Sequence, residues 1–405
     1  MNLKQEIEAR ITEQITEQIT DQITGQITDH ATGKTRSKDL LSVVLYGLSQ
    51  IYTTVMTARA KAYKSGMLKS FSLPCLVISV GNLTTGGSGK TPLVIYMAEL
   101  LRSAGLRTVI LSRGYKGSKV KQGGIAADGS QILMTAAESG DEPHMMALRL
   151  KNIPVVVGAD RVKSGMTAVR AFHPDVILLD DAFQHVRLKR DLNIVLADAA
   201  HPFGNGFLLP RGPLREPQTA INRADAVVLT RGNNLTAPER VRRVEMMQRL
   251  MTGHQPVFVS AHCPRIIKTV KSGDTASMTR ENHKGLRVFA FSGIAKNEEF
   301  RHTIKLISYR IPCRVPYKVS FRIMGHTAFP DHHPYTDADL TSVFEAARHC
   351  NAHALITTEK DYARIKERGP WPLDLIVVGI DMGFDDQKPD FDRFILNSLQ
   401  TTRRI

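Results

Sequence analysis

The chain has 405 residues, of which 42% are hydrophobic and 23% are charged, so it is long enough for two domains and its composition excludes an intrinsically disordered protein. The formal net charge of +15 indicates an anionic partner, which could be nucleic acid, an acidic membrane surface or a phosphorylated substrate. The four cysteines contain no C-x-x-C pair, so they favour neither a zinc site nor a disulfide framework, and they fit a reducing cytoplasm.

The first segment, residues 1–38, repeats the pattern Ile-Thr-Glu-Gln and carries isoleucine at every fourth position from Ile11 to Ile27. A four-residue step advances about 400° around an α-helix, so these isoleucines drift around it and form no narrow apolar seam. We interpret the segment as a low-complexity extension of unknown role. A short helical or coiled-coil arm is the alternative.

Residues 39–66 contain an uncharged apolar stretch from Leu40 to Ala58. As a helix it would nearly cross the hydrocarbon core of a bilayer, which is roughly 30 Å thick. On a helical wheel, however, the large apolar side chains share one half and the serines, threonines and glutamine the other, as in a helix that lies in a membrane interface. The basic residues that follow, such as Arg59 and Lys61, suit anionic headgroups. The pattern predicts an amphipathic membrane-associated helix, with a helix packed on the protein's own core as the alternative.

From Pro74 onward the chain alternates short apolar runs with helical patterns, which is typical of a mostly parallel sheet flanked by helices. We predict a P-loop NTPase-type α/β domain over residues 67–255, with strands at CLVISV, RTVILS, IPVVVG, DVILLDD, NIVLAD and DAVVLT. A second series of strands, PVFVSA, RVFAFSG, ALITT and LIVVGI, predicts a smaller α/β domain over residues 256–402.

The glycine-rich stretch VGNLTTGGSGKTP lies between the strand VISV and the helical pattern TPLVIYMAELL. Its glycines, which allow backbone N–H groups to turn toward an anion, are Gly86, Gly87 and Gly89. Lys90 is placed for the β- and γ-phosphates of a nucleotide, and Thr91 for Mg²⁺. Thr84 stands where the pattern G-x-x-x-x-G-K-[ST] has its first glycine, but strand, lysine, threonine and helix all agree. The stretch therefore predicts a phosphate-binding loop.

The strand DVILLDD ends on two adjacent aspartates, Asp180 and Asp181. Two carboxylates side by side repel each other unless a cation lies between or beside them, and an aspartate at the end of an apolar strand is the usual second anchor of a magnesium site. The pair predicts that site, with a solvated turn as the alternative. His185, four residues beyond Asp181, either lines the same cleft or caps the loop, and the pattern does not decide.

Transfer of a phosphoryl group to an alcohol needs a group that takes the proton of the hydroxyl. Asp141 and Glu142 in SGDEPHM and His332 in FPDHHPY are candidates for this role. Each motif alone is also compatible with a purely structural turn.

The stretch FGNGFLLPRGPLREP follows a strand and is rich in Gly, Pro and Arg. Arg211 and Arg215 in it suit bidentate binding of phosphate, for which lysine would serve less well. The length and composition of the stretch predict a mobile loop over the site, with an ordinary surface loop as the alternative.

Eight motifs occur in the order GNLTTGGSGKTP, LSRGYKG, GDEPHMMA, DDAFQH, LPRGPLREP, FSGIA, FPDHHPYTDADL and TTEKDYAR. Together they resemble the tetraacyldisaccharide 4'-kinase family of lipid A biosynthesis, over the chain from roughly Leu40 to near Ile380. The resemblance implies transfer of the γ-phosphate of ATP, with Mg²⁺, to the 4'-hydroxyl of a tetraacyldisaccharide 1-phosphate, which gives lipid IVA. It also implies a place at the cytoplasmic face of the bacterial inner membrane.

The same resemblance implies roles for individual residues. Asp141 matches the catalytic base and His332 the partner that orients or tunes it. The expected nucleotide-binding residues are Thr84, Thr85, Gly86, Gly87, Ser88, Gly89, Lys90 and Thr91. The expected metal ligands are Thr91, Asp180 and Asp181, and the expected site-lining residues are Glu142, His185, Arg211, Arg215 and Glu216. Ala182 departs from the family, which usually has glycine after the aspartate pair, so the turn there is expected to differ slightly.

Other classes of protein fit the sequence less well. A membrane-associated partition or targeting ATPase carries lysine directly before the two glycines, where this chain has Thr85. A GTPase has an N-K-x-D motif, whereas TTEKD places its lysine directly before Asp361. The sequence shows no basic motif interleaved with aromatic residues, so we expect no nucleic acid as a partner. It does not indicate protein partners.

Overall fold

The structure is a computed structural model, and it describes residues 38–272, 285–308 and 320–403. The predicted low-complexity extension therefore lies outside the described residues except for Lys38. Within the described residues the chain forms two sheets flanked by helices, which confirms the predicted α/β fold class.

The larger sheet contains eight strands within the described residues, in the spatial order β3-β4-β2-β5-β1-β6-β7-β8. Every neighbouring pair is parallel except β3 and β4, which are antiparallel. The strands are β1 (Leu76–Asn82), β2 (Thr108–Ser112), β3 (Gly124–Ala127), β4 (Val155–Val157), β5 (Val176–Asp180), β6 (Leu192–Asp198), β7 (Ala226–Thr230) and β8 (Val257–Val259). The central strands are buried along their length because helices cover both faces, which is why they read as continuous apolar runs.

The helices of this part are α1 (Lys38–Lys64), α2 (Lys90–Ser103), α3 (Ala136–Ser139), α4 (Asp141–Arg149), α5 (Arg161–Phe172) and α6 (Ala237–Leu250). Several begin at a polar cap. At the start of α5, for example, the Asp160 carboxylate accepts from the backbone N–H groups of Val162 and Lys163. Helix α2 buries Leu93, Met97 and their neighbours against the sheet. Each such side chain stabilises the fold by about 1.5–3 kcal/mol.

The smaller sheet has five strands within the described residues, in the order β11-β10-β12-β13-β9, and only β9 runs antiparallel to its neighbour. The strands are β9 (Ala261–Val270), β10 (Leu286–Ser292), β11 (Phe321–Ala328), β12 (Ala354–Thr358) and β13 (Asp374–Gly383). The helices are α7 (Asn297–Ser308), α8 (Asp337–His349), α9 (Glu359–Ile365) and α10 (Lys388–Arg403). All ten strands predicted from the sequence are present, whereas β3, β9 and β11 were not predicted because they lie at sheet edges and lack a continuous apolar run.

The sequence predicted the boundary between the two units at residue 255, and in the structure the change of sheet comes slightly later. Strand β8 follows that position and still pairs with β7 in the larger sheet, and the next strand, β9, begins the smaller one. Helix α10 then returns to the larger sheet, where Phe391 and Ile395 join its core and Phe391 stacks on Phe384 at 4.0 Å. The C-terminal helix therefore ties the smaller unit to the larger one.

Helix α1 covers one side of the larger unit and leaves most of its apolar surface exposed. Leu41, Leu48 and Ile51 are 54%, 47% and 62% exposed. The opposite face contacts the protein, where Met56 is buried and the Ser49 hydroxyl donates to the carbonyl of Leu208 at 3.0 Å. By length and composition the helix could cross a membrane, and only 11% of its apolar window is buried. Packing on the protein's own core therefore does not account for its apolar face.

The cysteines differ in state. Cys75 and Cys350 are free thiols, whereas Cys263 is disulfide-bonded. One bonded cysteine is not a disulfide framework, but the spacing of cysteines along the chain did not indicate this bond, because spacing does not report which residues meet after folding.

Candidate active site

A cavity of about 770 Å³ lies between the two sheets, at the carboxyl ends of their strands. Loops that follow β1, β2, β5 and β7 line it from the larger sheet, and loops that follow β10, β11 and β12 line it from the smaller one. Parallel α/β sheets bind ligands at this edge because the loops and helix N-termini converge there. We call its two sides the phosphate wall (residues 85–91, Asp180 and Asp181) and the acceptor wall (Asp141, His332 and Lys360, which line the cavity, with Arg364 behind them).

The phosphate wall begins with the predicted glycine-rich loop, which joins β1 to α2. Gly89 caps α2 with a φ of 84°, and a Cβ added there would lie 2.5 Å from the His262 Nε2 atom. Both the backbone conformation and the space therefore require glycine. Lys90 Nζ lies 3.1 Å from Asn82 Oδ1 and 3.5 Å from Asp181 Oδ1, so its ammonium group points along the strand ends into the cavity.

Thr84 is tolerated because the backbone there does not turn. It forms a β-bridge with Leu214, and its carbonyl accepts from the Asn82 side chain at 2.6 Å. The next residue, Thr85, donates its N–H to Pro213 O at 2.7 Å. Thr84 has no positive φ and does not line the cavity, whereas Thr85 and the rest of the loop do. The loop thus starts one residue later than the expected pattern.

Asp180 ends β5 with a buried carboxylate that forms no ion pair with another side chain in the described part of the chain. The Ser112 hydroxyl donates to Oδ2 at 3.3 Å, while Oδ1 is buried and has no partner within the described part of the chain. Burial first, and then the nearby carboxylates of Glu142 and Asp181, raise the pKa of Asp180 to about 7. A buried carboxylate oxygen without a hydrogen-bond partner is suited to bind a cation.

Asp181 has the opposite surroundings. Both of its oxygens lie 3.0 Å from Arg215 Nη1, and Lys90 lies on the same carboxylate. Burial raises the pKa of this carboxyl, but the positive charges of Arg215 and Lys90 lower it by more. The resulting pKa is well below its usual range. Asp181 is therefore an ionised, paired group, and the two adjacent aspartates are not equivalent.

The acceptor wall centres on Asp141, the first residue of α4. His332 Nδ1 donates to Asp141 Oδ2 at 2.6 Å, and Arg364 binds the same oxygen through Nε at 2.8 Å and Nη2 at 2.7 Å. Although burial raises the pKa of Asp141, these hydrogen bonds from His332 and Arg364 lower it to about 2. Asp141 and His332, which are 191 residues apart in the chain, are thus direct neighbours in the structure.

A second layer of contacts holds this pair. The buried Asp361 carboxylate accepts from Arg364 Nη1 at 3.0 Å and from the Tyr335 hydroxyl at 3.0 Å. Lys360 Nζ lies 3.3 Å from His332 Nε2. The motif TTEKDYAR was recognised in the sequence, but no role was predicted for its lysine and arginine. Closely spaced acidic and basic residues do not indicate a site, because an ordinary exposed helix carries them too.

The remaining predicted residues divide into two groups. Glu142, His185 and Arg215 line the cavity. Arg211 and Glu216 do not. Arg211 lies over the rings of Phe207 and Tyr46, with its guanidinium carbon 4.0 and 4.8 Å from their centroids, and Glu216 is buried in an ion pair with Arg223 at 2.5 Å.

The expectation that Arg211 and Glu216 line the site is therefore not met. Consecutive side chains of an extended segment point to opposite sides, so Arg215 faces the cavity while Glu216 faces the interior. Arg211 instead joins its loop to helix α1, which contributes Tyr46.

Helix α1 also forms part of the cavity. Tyr52, Met56 and Arg59 line it from one side. The Tyr52 hydroxyl donates to Arg215 O at 3.1 Å, and Arg59 Nη1 donates to Gln184 O at 3.1 Å. The helix that exposes an apolar face outward therefore supports the loop that carries Arg215.

The chain is similar to known proteins over nearly its whole length. The family model of tetraacyldisaccharide-1-P 4'-kinase matches residues 41–400. Tetraacyldisaccharide 4'-kinases of Desulfatibacillum aliphaticivorans and Syntrophus aciditrophicus are 39% and 38% identical, and each alignment covers 91% of this chain and 96% of the relative. The structure resembles that of LpxK from Aquifex aeolicus in complex with ATP, with a TM-score of 0.67 and 30% identity over 89% of this chain and 99% of that one.

Proposed function

The chain belongs to the tetraacyldisaccharide-1-P 4'-kinase family, and from that premise we propose how its cavity performs the reaction. The protein is an ATP-dependent kinase that transfers the γ-phosphate of ATP to the 4'-hydroxyl of a tetraacyldisaccharide 1-phosphate, forming lipid IVA in lipid A biosynthesis. The predicted resemblance is thereby confirmed, and the alternative of a partition-type ATPase switch is not favoured. One observation carries the residue roles that follow: a phosphate-binding loop and a positioned carboxylate face the same cavity.

The phosphate wall is proposed to bind the triphosphate. Its glycines direct backbone N–H groups toward an anion, and the N-terminus of α2 adds its positive end. Lys90, held by Asn82 and Asp181, is placed to neutralise negative charge on the transferred group. These contacts orient the γ-phosphate and stabilise the charge that develops on it.

Asp141 is proposed as the base that takes the proton of the lipid hydroxyl. All three contacts from His332 and Arg364 fall on Oδ2, which leaves Oδ1 for the acceptor. The hydroxyl oxygen bonds to the γ-phosphorus, the bond from that phosphorus to the β-phosphate oxygen breaks, and the proton passes to Oδ1 as ADP leaves. A low pKa suits this role because the transition state of phosphoryl transfer is loose and needs the proton acceptor mainly to orient the hydroxyl.

Mg²⁺ is proposed to bind at Asp180, with Thr91 beside it at the start of α2. The buried Oδ1 without a partner and the raised pKa of Asp180 fit a divalent cation with oxygen ligands. No group of three or more His, Cys, Asp or Glu side chains within the described ranges forms a closed metal site. That fits a metal which keeps waters and substrate phosphates as ligands, and when bound it would neutralise charge on the β- and γ-phosphates. Asp181, engaged by Arg215 and Lys90, orients those two cations.

Helix α1 is proposed to lie on the cytoplasmic face of the inner membrane. Its outward face carries exposed Leu41, Val44, Leu48 and Ile51, and its last turn carries Lys61 and Lys64. An apolar face flanked by basic residues binds anionic lipid surfaces. Since the same helix lines the cavity, a lipid whose acyl chains remain in the bilayer would reach the acceptor wall along it.

The test is a transfer assay with purified full-length protein, ATP, Mg²⁺ and the tetraacyldisaccharide 1-phosphate in detergent micelles. We expect one new phosphate monoester on each product lipid, at the 4'-position. ATP consumption without a phosphorylated lipid would instead identify an ATPase switch, and this outcome would refute the proposed roles of Asp141 and His332.

A further inference from the structure

Helix α4 carries Asp141 at its first residue and Arg149 at its last. The helix belongs to the larger unit, because Met146 and Ala147 are buried in the core of the larger sheet. Its two ends are separated by about 12 Å, at about 1.5 Å per residue. Both ends contact the smaller unit, so these contacts set how α4 lies relative to the partners of Asp141.

The contacts at the Arg149 end involve two carboxylates of the smaller unit. Arg149 Nη1 donates to Glu359 Oε2 at 3.1 Å and to the carbonyl of Ile380 at 3.4 Å, and Nη2 contacts the Asp381 carboxylate. The side chains of Arg149 and Glu359 are only 8% and 9% exposed. We call Arg149, Glu359 and Asp381 the distal cluster. Although Arg149 lines the cavity, both of its Nη atoms bind the protein itself.

The backbone leaves space for this cluster. A Cβ added at Gly379 of β13 would overlap the Glu359 carboxylate, so the absence of a side chain there lets Glu359 reach Arg149. Asp381 has a second partner, since Arg265 Nη1 lies 3.0 Å from its Oδ2. Loss of the Arg149 guanidinium would therefore leave Glu359, not Asp381, without an ion-pair partner among the described residues. A buried carboxylate in that state is unfavourable, which holds Arg149 in place.

The distal cluster and the Asp141 contacts lie at opposite ends of one helix pair. Arg364, near the end of α9, binds Asp141 at the start of α4. Glu359, at the start of α9, binds Arg149 at the end of α4. The two helices are therefore antiparallel, with an ionic contact at each end. Two contacts this far apart fix the angle between the helices, whereas the contact at Asp141 alone would let α4 pivot about it.

We propose that Arg149 is a positioning residue for phosphoryl transfer, an inference that rests on the proposed function. By binding Glu359 and Asp381, it fixes the direction of α4, so that Asp141 Oδ1 faces the acceptor hydroxyl. A displacement of about 1 Å at a reacting group lowers the rate strongly even when its cause lies far from the chemistry. Arg149 thus acts on the reaction only through Asp141.

The experiment introduces Arg149→Gln into the full-length wild type and into Asp141→Asn, and measures kcat in single turnovers and ATP affinity by titration. In the wild type we expect kcat to fall about tenfold, with ATP affinity unchanged because the phosphate loop is intact. In Asp141→Asn the same substitution should change kcat by less than about twofold, because the group that it positions is already lost. Arg149→Lys, which keeps the charge, should recover kcat to within about threefold of the wild type.

Arg265→Gln is the matched control, since Arg265 is exposed and binds the same Asp381 carboxylate from β9. Its kcat should stay within about twofold of the wild type. The double variant Arg149→Gln with Glu359→Gln leaves no unpaired buried charge at this pair, so it reports on kcat even where Arg149→Gln alone does not fold. It should lose kcat about tenfold as well.

Unchanged kcat in Arg149→Gln, or in the double variant, would overturn the proposal. Equal losses in the wild-type and Asp141→Asn backgrounds would also overturn it, because Arg149 would then act on the substrate or on the fold as a whole. A wild type that transfers no phosphate to the lipid would refute the proposed function and this role with it. Wild-type transfer with equal losses in the two backgrounds would refute the role of Arg149 alone.

Discussion

The phosphate wall and the acceptor wall of the cavity are built in different ways. Residues 85–91 of the phosphate wall form one continuous stretch, and Asp180 and Asp181 end the neighbouring strand β5. The acceptor wall takes Asp141 from the larger unit and His332, Lys360 and Arg364 from the smaller one. A local strand-to-helix turn suffices for the first wall, whereas the second exists only when the two sheets face each other.

The electrostatics of the two walls also differ. Asp180 has a raised pKa, and its buried Oδ1 has no hydrogen-bond partner within the described residues, so the phosphate wall is complete only with a ligand. Asp141 has a lowered pKa and is fully paired on one oxygen, so the acceptor wall is organised in advance. The substrate phosphates bring their own charge and cation to one wall, while the neutral hydroxyl needs an ionised group already in place.

The largest effect is expected for Asp141→Asn, which keeps the shape of the side chain but removes the proton acceptor. We expect kcat to fall about 10²- to 10⁴-fold with ATP affinity close to that of the wild type. Lys90→Ala, on the phosphate wall, should instead weaken ATP binding. Single-turnover kinetics and ATP titrations distinguish the two, and parallel losses of kcat and ATP affinity in Asp141→Asn would show that Asp141 is not the base.

Asp180→Asn tests the statement that the phosphate wall is incomplete without a ligand. We expect about a 10²-fold loss of Mg²⁺-supported kcat. Because burial raises the folded-state pKa from 3.8 to about 7, the unfolded chain releases its proton first, and the folded state loses stability as pH rises through this window.

In Tm measurements without ATP and Mg²⁺, the wild type should therefore lose stability relative to Asp180→Asn between about pH 4 and 7. Mg²⁺ with ATP should restore it. If the two proteins show the same pH dependence of Tm, the pKa of Asp180 is not raised in the folded state. The two walls would then not differ in the charge state of their carboxylates.

Arg364→Gln tests whether the acceptor wall is organised in advance by charge. Without the guanidinium, burial of Asp141 is less opposed, so its pKa rises and the acid limb of kcat/KM moves to higher pH. We expect a loss of about tenfold in kcat near neutral pH. Arg368→Gln is the matched control, since Arg368 is exposed and pairs with Asp337. An unshifted acid limb would show that Arg364 only packs.

Ile51→Lys tests the outer face of helix α1, which supports the loop that carries Arg215. Placing a charge on the exposed apolar face should reduce binding to anionic vesicles by about fivefold to tenfold, because apolar burial in the interface is lost. Gln50→Lys, on the polar half of α1, is the control and should bind at least as well as the wild type. The measurement is the fraction of protein that floats with the vesicles in a density gradient. If this fraction is the same for Ile51→Lys and the wild type, the outer face of α1 does not bind the membrane.

The smallest effect is expected for Thr84→Gly, which restores the glycine of the general pattern. Thr84 lies in a backbone bridge with Leu214 outside the cavity, so the KM for ATP should change less than about twofold. The Tm should fall slightly, because glycine loses more conformational freedom on folding. A large change in KM would place Thr84 in the nucleotide site after all.

Most residues of the phosphate wall could be named from the sequence because they lie within short segments, although Thr84, which was expected among them, does not line the cavity. Strand, glycines, Lys90 and Thr91 occur within one stretch, and Asp180 and Asp181 end the next apolar strand that pairs with it. Asp141 and His332 were candidates from the chemistry of their motifs and received their roles from the family resemblance, but no pattern in the sequence indicated that they touch. The contacts of Lys360 and Arg364 with them were not predicted at all.

By itself the sequence determined the α/β class, ten of the strands, the phosphate-binding loop and the apolar character of helix α1. Those features depend on periodicity and on local turn chemistry, which are written in neighbouring residues. Only the tertiary structure decided that Arg215 faces the cavity while Arg211 and Glu216 do not, that Asp180 and Asp181 differ in pKa, and that His262 reaches Gly89. Each of these depends on burial and on charges brought together from distant segments, and neither exists before the chain folds.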